Sequence, residues 1–265
     1  MPALKVVTIN IFSDLSLWHR RRGLLLQGLT DLNPDLIALQ EVSLPENNAQ
    51  WLAEQIGIQH VYLCPKTGKA SKREALAILS RLPFDNQGML DLKTQSRVAQ
   101  YVQVRIAGQP VVIANGHFFW QPGDSPERQR QIERLLGWLD SFATHLPIIV
   151  CGDFNSLPES PSILKMRQAF VSAYAARHGR EPEYTTPTPL PRSKWKLLQT
   201  LLRFIKYIRL KDVELDWQGT LDYIFVNELI HVRDCQLVLD QPAPENPRLY
   251  PSDHFGLMAV LDINA

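Results

Sequence analysis

Cysteine is scarce. The 265 residues contain three, Cys64, Cys151 and Cys235, which stand far apart, and one is left over after any pairing. That speaks against a disulfide scaffold and for reduced, partly buried thiols in a reducing compartment. No cysteine pair or closely spaced histidine pair has the spacing of a zinc site. An excess of one charge is missing too. Lys+Arg 28 against Asp+Glu 27 leaves +1, so any basic surface for nucleic acid must be local. No apolar run is long enough to span a bilayer, and "MPALKVVTIN" is too short and too polar at its start for a secretory signal. The expectation is a soluble, cytoplasmic, monomeric protein. Neither a Gly-rich phosphate loop nor a Gly-x-Ser-x-Gly elbow occurs, which removes two common routes to phosphoryl and acyl chemistry.

What is present is a series of short segments rich in β-branched and aliphatic residues, most bounded by Gly, Pro or Asp. The pattern predicts strands over 4–12, 35–42, 75–80, 98–106, 110–118, 146–154, 221–227, 235–240 and 256–263. Helical periodicity covers 20–32, 48–57 and 125–145. The last has Ser125 as N-cap, Pro126 at the first helical position, and Ile132, Leu135, Leu136 and Leu139 on one stripe. Alternating strands and helices in the first half, with hairpin-like spacing in the middle, predict an α/β (α+β) protein. The expected architecture is a four-layer αββα sandwich of two mixed sheets flanked by helices, in a single domain over 1–265.

Chemistry-bearing residues recur where the aliphatic runs end. Asn10 follows "VVTI", Gln40 and Glu41 follow "LIAL", His117 follows "VVIANG", and Asp153 and Asn155 follow "PIIVCG". Asp222 opens "DYIF", and Asp253 with His254 precedes "FGLMAV". Polar residues at the ends of so many strands predict a shared cleft at one edge of the sheets. Hard oxygen donors with only two histidines suit Mg²⁺, with Mn²⁺ as a substitute, rather than zinc. Phosphodiester attack needs an oriented water, neutralised phosphoryl oxygens and a stabilised leaving oxygen, and this set can supply all three. Taken singly, several residues have plainer readings. Asp153 and Asn155 suit a turn after a strand, Asn115-Gly116 before His117 is itself a turn signal, and Arg128 belongs to the charge-rich "ERQRQIER".

"TIN", "LQEV", "GDFN", "LDYIF" and "SDHFG", in this order across residues 5 to 263, resemble the endonuclease/exonuclease/phosphatase superfamily. That group includes abasic-site endonucleases, pancreatic-type deoxyribonucleases, neutral sphingomyelinases, inositol-polyphosphate phosphatases and the deadenylase–nocturnin group. The resemblance implies a role for each residue. Glu41 would be the principal Mg²⁺ ligand, with Asn10 beside it and Asp253 at or near the shell. Asp153 would orient or deprotonate the attacking water. Asn155 would donate to a phosphate oxygen, His254 would contact the scissile phosphate, and Asp222 would hold His254 in its charged form. His117 is similar to a phosphate-binding histidine, while Arg128 and Gln131 echo an Arg-x-x-Gln at the start of a helix, with Arg128 expected at the substrate.

Three details resemble the deadenylase–nocturnin branch: a Trp18-x-x-Arg21 spacing before the first helix, the Thr-rich "EYTTPTP", and a proline before Ser252-Asp253-His254. The departure is a basic amphipathic insert at 192–211, with seven Lys/Arg and no acid. It suits contact with nucleic-acid phosphate, contact with an anionic membrane, or packing on the core. The expected function is Mg²⁺-dependent hydrolysis of a phosphodiester, nucleic acid among the candidate substrates. A phosphatase or lipid phosphodiesterase of the same superfamily is one alternative, and a catalytically silent binding protein on that fold is the other.

Overall fold

The computed structural model describes residues 3–142, 145–191 and 217–263; the 192–211 insert lies outside them. In chain order, β1 (Leu4–Asn10), α1 (Trp18–Leu32), β2 (Leu36–Ser43), α2 (Asn48–Ile56), β3 (His60–Pro65), β4 (Glu74–Ser80), β5 (Asn86–Asp91), β6 (Val98–Ile106) and β7 (Gln109–His117) come first. They are followed by α3 (Pro126–Leu139), β8 (Ile148–Asp153), α4 (Pro161–Met166), β9 (Val171–Ser172), α5 (Ala173–His178), β10 (Asp222–Val226), β11 (Ile230–Val238) and β12 (Gly256–Ile263). The strands form two six-stranded sheets, ordered β11-β12-β1-β2-β4-β3 and β5-β6-β7-β8-β10-β9. Each is mixed: β1 runs parallel to β2 and β7 parallel to β8, each pair joined through a helix, and the other pairings are antiparallel.

The central strands are apolar on both faces because both faces are covered. Leu36 and Ala38 of β2 pack between the sheets, with Ile113 of β7 and Ile149 of β8. Ile37 and Leu39 point the other way, onto Leu25 and Leu29 of α1 and Leu52 of α2. In the second sheet, Ile148 and Val150 pack onto Ile132, Leu135 and Leu139 of α3. These three clusters make the four layers expected from the sequence, and the near-continuous hydrophobic runs follow from two-sided burial.

Differences from the expected elements have local causes. The helix foreseen to 145 stops at Leu139, where Ser141 turns its hydroxyl back onto the carbonyl of Trp138 (2.6 Å). Trp18 and Arg21 lie inside the first helix rather than before it. Asn115 and Gly116 do not turn; they are paired within β7, opposite Cys151 and Gly152 of β8. The sequence pattern missed β3, β5 and β9, which lie at or near sheet edges. β5 in particular, "NQGMLD", is polar and half-exposed, so no aliphatic run marks it.

One glycine is fixed by sterics. Gly152 has φ +147°, and a Cβ placed on it would stand 2.1 Å from the carbonyl oxygen of Gly116 across the parallel β7–β8 pair. Gly152→Ala should therefore push apart the two strands that deliver His117 and Asp153. A loss of more than about 4 kcal/mol is expected, within the exceptional class of single substitutions. Urea unfolding should show it as a large drop in midpoint; a midpoint near wild type would mean that the strand pair yields without cost.

Candidate active site

Side chains alternate across a strand, so the residues that face the inter-sheet core can be followed outward to where each strand ends. On β1 the series Leu4, Val6, Thr8 arrives at Asn10. On β7, Val111, Ile113 and Asn115 lead to His117. On β8, Ile149 and Cys151 lead to Asp153, and on β10, Val226 and Ile224 lead to Asp222. Four strands from two sheets thus aim Asn10, His117, Asp153 and Asp222 at one end of the sandwich. Beneath them is a polar floor. Gln40 donates to Asn115 Oδ1 (2.8 Å) and to Thr8 Oγ1 (3.1 Å), and Asn115 donates across the sandwich to the carbonyls of Leu39 (3.0 Å) and Ala77 (3.1 Å).

Glu41 breaks the alternation. The pairing of β2 with β4 shifts register between Leu39 and Val42, and Glu41 takes a left-handed φ of 58°. This bulge redirects its carboxylate towards the cleft. There Oε2 accepts from the Ser13 N–H (2.8 Å), and Oε1 is 3.4 Å from Asn10 Nδ2. Burial opposes its charge, but Lys66, the Ser13 hydrogen bonds and His254 outweigh it and hold the carboxyl at about 2. Glu41 and His254 are thus close enough for their charges to interact. Asn10, expected as a ligand, forms a bridge between the two carboxylates. Its Nδ2 donates to Asp153 Oδ2 (3.0 Å) and lies near Glu41, while its Oδ1 accepts from the Phe12 N–H (3.0 Å).

Asp153 is buried. Desolvation and the neighbouring Asp222 raise its pKa to about 7, against the pull of His254, Asn10 and the Asn155 N–H. Asn155 has φ 49°, so the chain leaves the strand at that point. Its N–H donates to Asp153 Oδ1 (2.9 Å) and its Nδ2 to the Phe118 carbonyl (3.1 Å). Both contacts fix the carboxamide beside the carboxylate and leave its second N–H available.

Opposite stands His254, with Nδ1 2.8 Å from Asp222 Oδ2. The same carboxylate oxygen accepts from Thr185 Oγ1 (2.6 Å), whose oxygen in turn accepts from the backbone N–H of Leu221 (3.0 Å) and Asp222 (3.3 Å). Burial lowers the imidazole's affinity for a proton, but Asp222 dominates, aided by Asp153 and Asp253, and the pKa rises to about 10. His254 is an imidazolium at neutral pH. Asp253 is buried beside it, and its backbone carbonyl accepts from Thr186 Oγ1 (3.0 Å) and the Thr188 N–H (2.9 Å). The Thr-rich stretch thus holds both the Asp222–His254 pair and the loop that carries Asp253.

His117 Nε2 lies 3.4 Å from Asp153 Oδ2. Burial, Arg97, Lys66 and His254 hold its pKa well below the usual value, so it is neutral. Lys66 and Arg97 are buried cations that the sequence did not disclose. Lys66 pairs with Glu74, and Arg97 keeps its Nε and Nη1 without a hydrogen-bond partner. Both stand near enough to Glu41 to feel its charge, and Arg97 also feels Asp153. Each stands alone beside an edge-side strand, outside any motif, and only their place next to a strand end hinted at a role.

Arg128, expected at the substrate, turns its two terminal nitrogens to its own loop. They donate to the carbonyls of Phe119 (3.1 Å), Gln121 (2.8 Å) and Gly123, while Nε is buried without a hydrogen-bond partner. Gln131 accepts from the Phe119 N–H (2.8 Å) and donates to the Thr94 carbonyl (3.0 Å), holding the same loop.

Asp153, Asp222 and His254 each offer a ligand atom within 4.8 Å of the others. Nδ1 of His254 is engaged by Asp222 (2.8 Å), so in this arrangement the trio is an acid–base pair facing a carboxylate. The residues that fit a divalent cation are the oxygen donors. Glu41 is ionised and half-exposed at the cleft, with Asp153 next to it across Asn10 and Asp253 buried nearby. An all-oxygen set of this kind matches Mg²⁺ or Mn²⁺.

The family model for the Endonuclease/Exonuclease/phosphatase family matches residues 7–254. Among curated relatives, Protein angel of Drosophila melanogaster is 32% identical over 174 residues, 58% of this chain and 48% of that protein. Human nocturnin is 27% identical over 270 residues, 91% of this chain and 57% of that protein. The chain spans about half the length of the curated relatives it matches. The human nocturnin catalytic domain, solved with a bound sulfate anion, superposes with a TM-score of 0.74 at 24% identity, covering 99% of this chain and 95% of that one.

Proposed function

The chain belongs to the endonuclease/exonuclease/phosphatase family, and we propose that it is a Mg²⁺-dependent phosphodiesterase of the nuclease type, cleaving its ester by in-line attack of water. The observation that carries this reading is the opposition of two groups in one cleft. One is the Asp222-held His254 imidazolium, at 2.8 Å; the other is the Asp153 and Glu41 carboxylates bridged by Asn10. On this reading a phosphate would lie between a cation-binding wall and a proton-bearing wall.

On this reading Glu41, with Asp253 near it, holds the cation, and when bound the ion supplies neutralisation of charge on the phosphoryl and leaving oxygens. Asp153, at about 7, orients the water and accepts its proton. Asn155 and neutral His117 donate hydrogen bonds to non-bridging oxygens, and His254 contributes a charged donor. Lys66 and Arg97 add positive potential at the same end of the sandwich. The sulfate bound by human nocturnin's catalytic domain supports a tetrahedral anion as ligand. Nucleic acid is the preferred substrate class, with a lipid or small phosphoester second. The described residues contain no helix long and apolar enough to cross a membrane.

The test is turnover of bis(p-nitrophenyl) phosphate with Mg²⁺ or Mn²⁺, before and after chelation. Metal-dependent release of nitrophenolate that EDTA stops and added metal restores is expected. A folded protein that is inert with every divalent ion tried would leave the binding-protein alternative standing. Single-stranded DNA, poly(A), sphingomyelin and inositol phosphates assayed side by side would then rank the substrate classes.

A further inference from the structure

We propose that Arg21 and Arg128 are paired positioning residues, each setting one half of the site through backbone carbonyls it grips. The two parallel strand–helix–strand units are built alike. β1 ends at Asn10 and α1 follows; β7 ends at His117 and α3 follows. Each helix carries in its first turns an arginine at the same distance along the chain from that strand-end residue, Asn10 to Arg21 and His117 to Arg128. Both arginines are buried.

Arg21 donates from Nη1 to the carbonyls of Ile11 (2.7 Å) and Pro251 (3.0 Å), and from Nη2 to those of Phe12 (2.5 Å) and Asp14 (3.3 Å). Its guanidinium lies over the rings of Phe12 (5.6 Å) and Trp18 (5.1 Å). The peptides it grips are the ones whose other ends hold the site. The N–H of Phe12 fixes Asn10 and that of Ser13 fixes Glu41. Pro251 precedes Ser252, whose hydroxyl donates to the Asn10 carbonyl (2.6 Å), and then Asp253 and His254. One side chain therefore joins the loop after β1 to the loop before β12, and both flank the cation-binding wall. Arg128 treats the loop after His117 in the same way, through Phe119, Gln121 and Gly123, and Asn155 donates to Phe118 in that loop. Its half is the substrate side. A planar five-donor fork holds several carbonyls in a fixed geometry; an ammonium has three donors on a flexible stem and sets none.

The inference rests on the proposed phosphodiesterase reading for its substrate arm only. Arg21→Lys and Arg128→Lys keep charge and stem while removing the fork. With Arg21→Lys, the dissociation constant for Mn²⁺, read from the EPR signal of the free ion, should rise about tenfold, the lower range for residues that orient metal ligands. Its KM for bis(p-nitrophenyl) phosphate at saturating metal should stay within about twofold of wild type. With Arg128→Lys the pattern should reverse: Mn²⁺ affinity kept, KM raised about tenfold, as expected for misplaced substrate contacts. Equal shifts of both quantities in both variants would overturn the proposal, as would folded variants in which neither moves, or the unfolding of both, which would make the arginines mere props. If Arg21→Lys alone fails to fold, a wild-type KM in Arg128→Lys overturns it. If the wild type turns over no diester, the phosphodiesterase reading fails while the Mn²⁺ comparison still decides for Arg21.

Discussion

Glu41→Gln should leave a folded protein whose phosphodiester turnover falls on the order of a thousandfold and no longer saturates with millimolar Mg²⁺, because metal-derived charge stabilisation is several kcal/mol and each ~1.4 kcal/mol is tenfold. The substitution keeps shape and can still accept from the Ser13 N–H; what it removes is the charge. That charge is held against its own burial by Lys66, Ser13 and His254, with the carboxyl at about 2. A carboxyl depressed in the folded state adds stability above its ordinary value near 4.5, and loses it as pH falls towards 2. Glu41→Gln should therefore melt a few degrees lower at pH 7 and flatten the acid side of the stability profile. The decisive measurement is a Mg²⁺ titration of turnover alongside a thermal melt. Wild-type metal activation in a folded Glu41→Gln protein would move the cation to a different set of donors.

The second large effect belongs to the imidazolium. His254→Ala removes a charged donor aimed at the phosphate, and a loss of 10²- to 10³-fold in kcat is expected, the range for one oxyanion donor. Asp222→Asn separates charge from position. The ring keeps a hydrogen-bond partner at the 2.8 Å contact, but loses the carboxylate that outweighs desolvation and holds its pKa at about 10. The pKa should fall to or below the ordinary 6.5. In the wild type, activity that needs the protonated ring persists up to about pH 10 and declines above it. In Asp222→Asn the alkaline decline should begin below neutrality, so the ratio of wild-type to variant kcat grows from pH 6 to pH 9. Stability follows the same sign. A raised histidine pKa contributes fully below 6.5 and is lost as pH rises through about 10, so the variant should lose most stability on the acid side of that window. A pH–rate profile with an unshifted alkaline limb in Asp222→Asn would show that His254 is not required in its charged form.

Much of this site was legible in the linear chain because its signal is local. A strand buried on both faces must be apolar along its length, and where such a run stops at a carboxylate or amide the last core-facing position is known from alternation alone. Asn10, His117 and Asp153 follow aliphatic runs and Asp222 opens one, and all four lie at one end of the sandwich. The helix that starts at Pro126 was equally readable, since Ser125 caps the N–H of Arg128 within one turn.

Other assignments depended on partners distant along the chain. The bridge that Asn10 makes from Phe12 to Asp153 is invisible in the linear chain. Arg128, expected at the substrate, turns its two terminal nitrogens to carbonyls of its own preceding loop. Lys66 and Arg97 carry no motif; strand order within one sheet brings Lys66, after β3, to Glu41 on β2, and the stacking of the two sheets brings Arg97, before β6, to the same carboxylate.

Local chemistry therefore determined, from the sequence alone, the layered architecture and the residue types at the strand ends, because hydrophobic burial and side-chain alternation act over a few neighbouring positions. Tertiary structure alone decided which oxygen faces which nitrogen. The left-handed bulge at Glu41 exists only where β2 meets β4, and the convergence of carbonyls on Arg21 only once segments more than two hundred residues apart, Asn10 and Ser252 among them, are folded against each other.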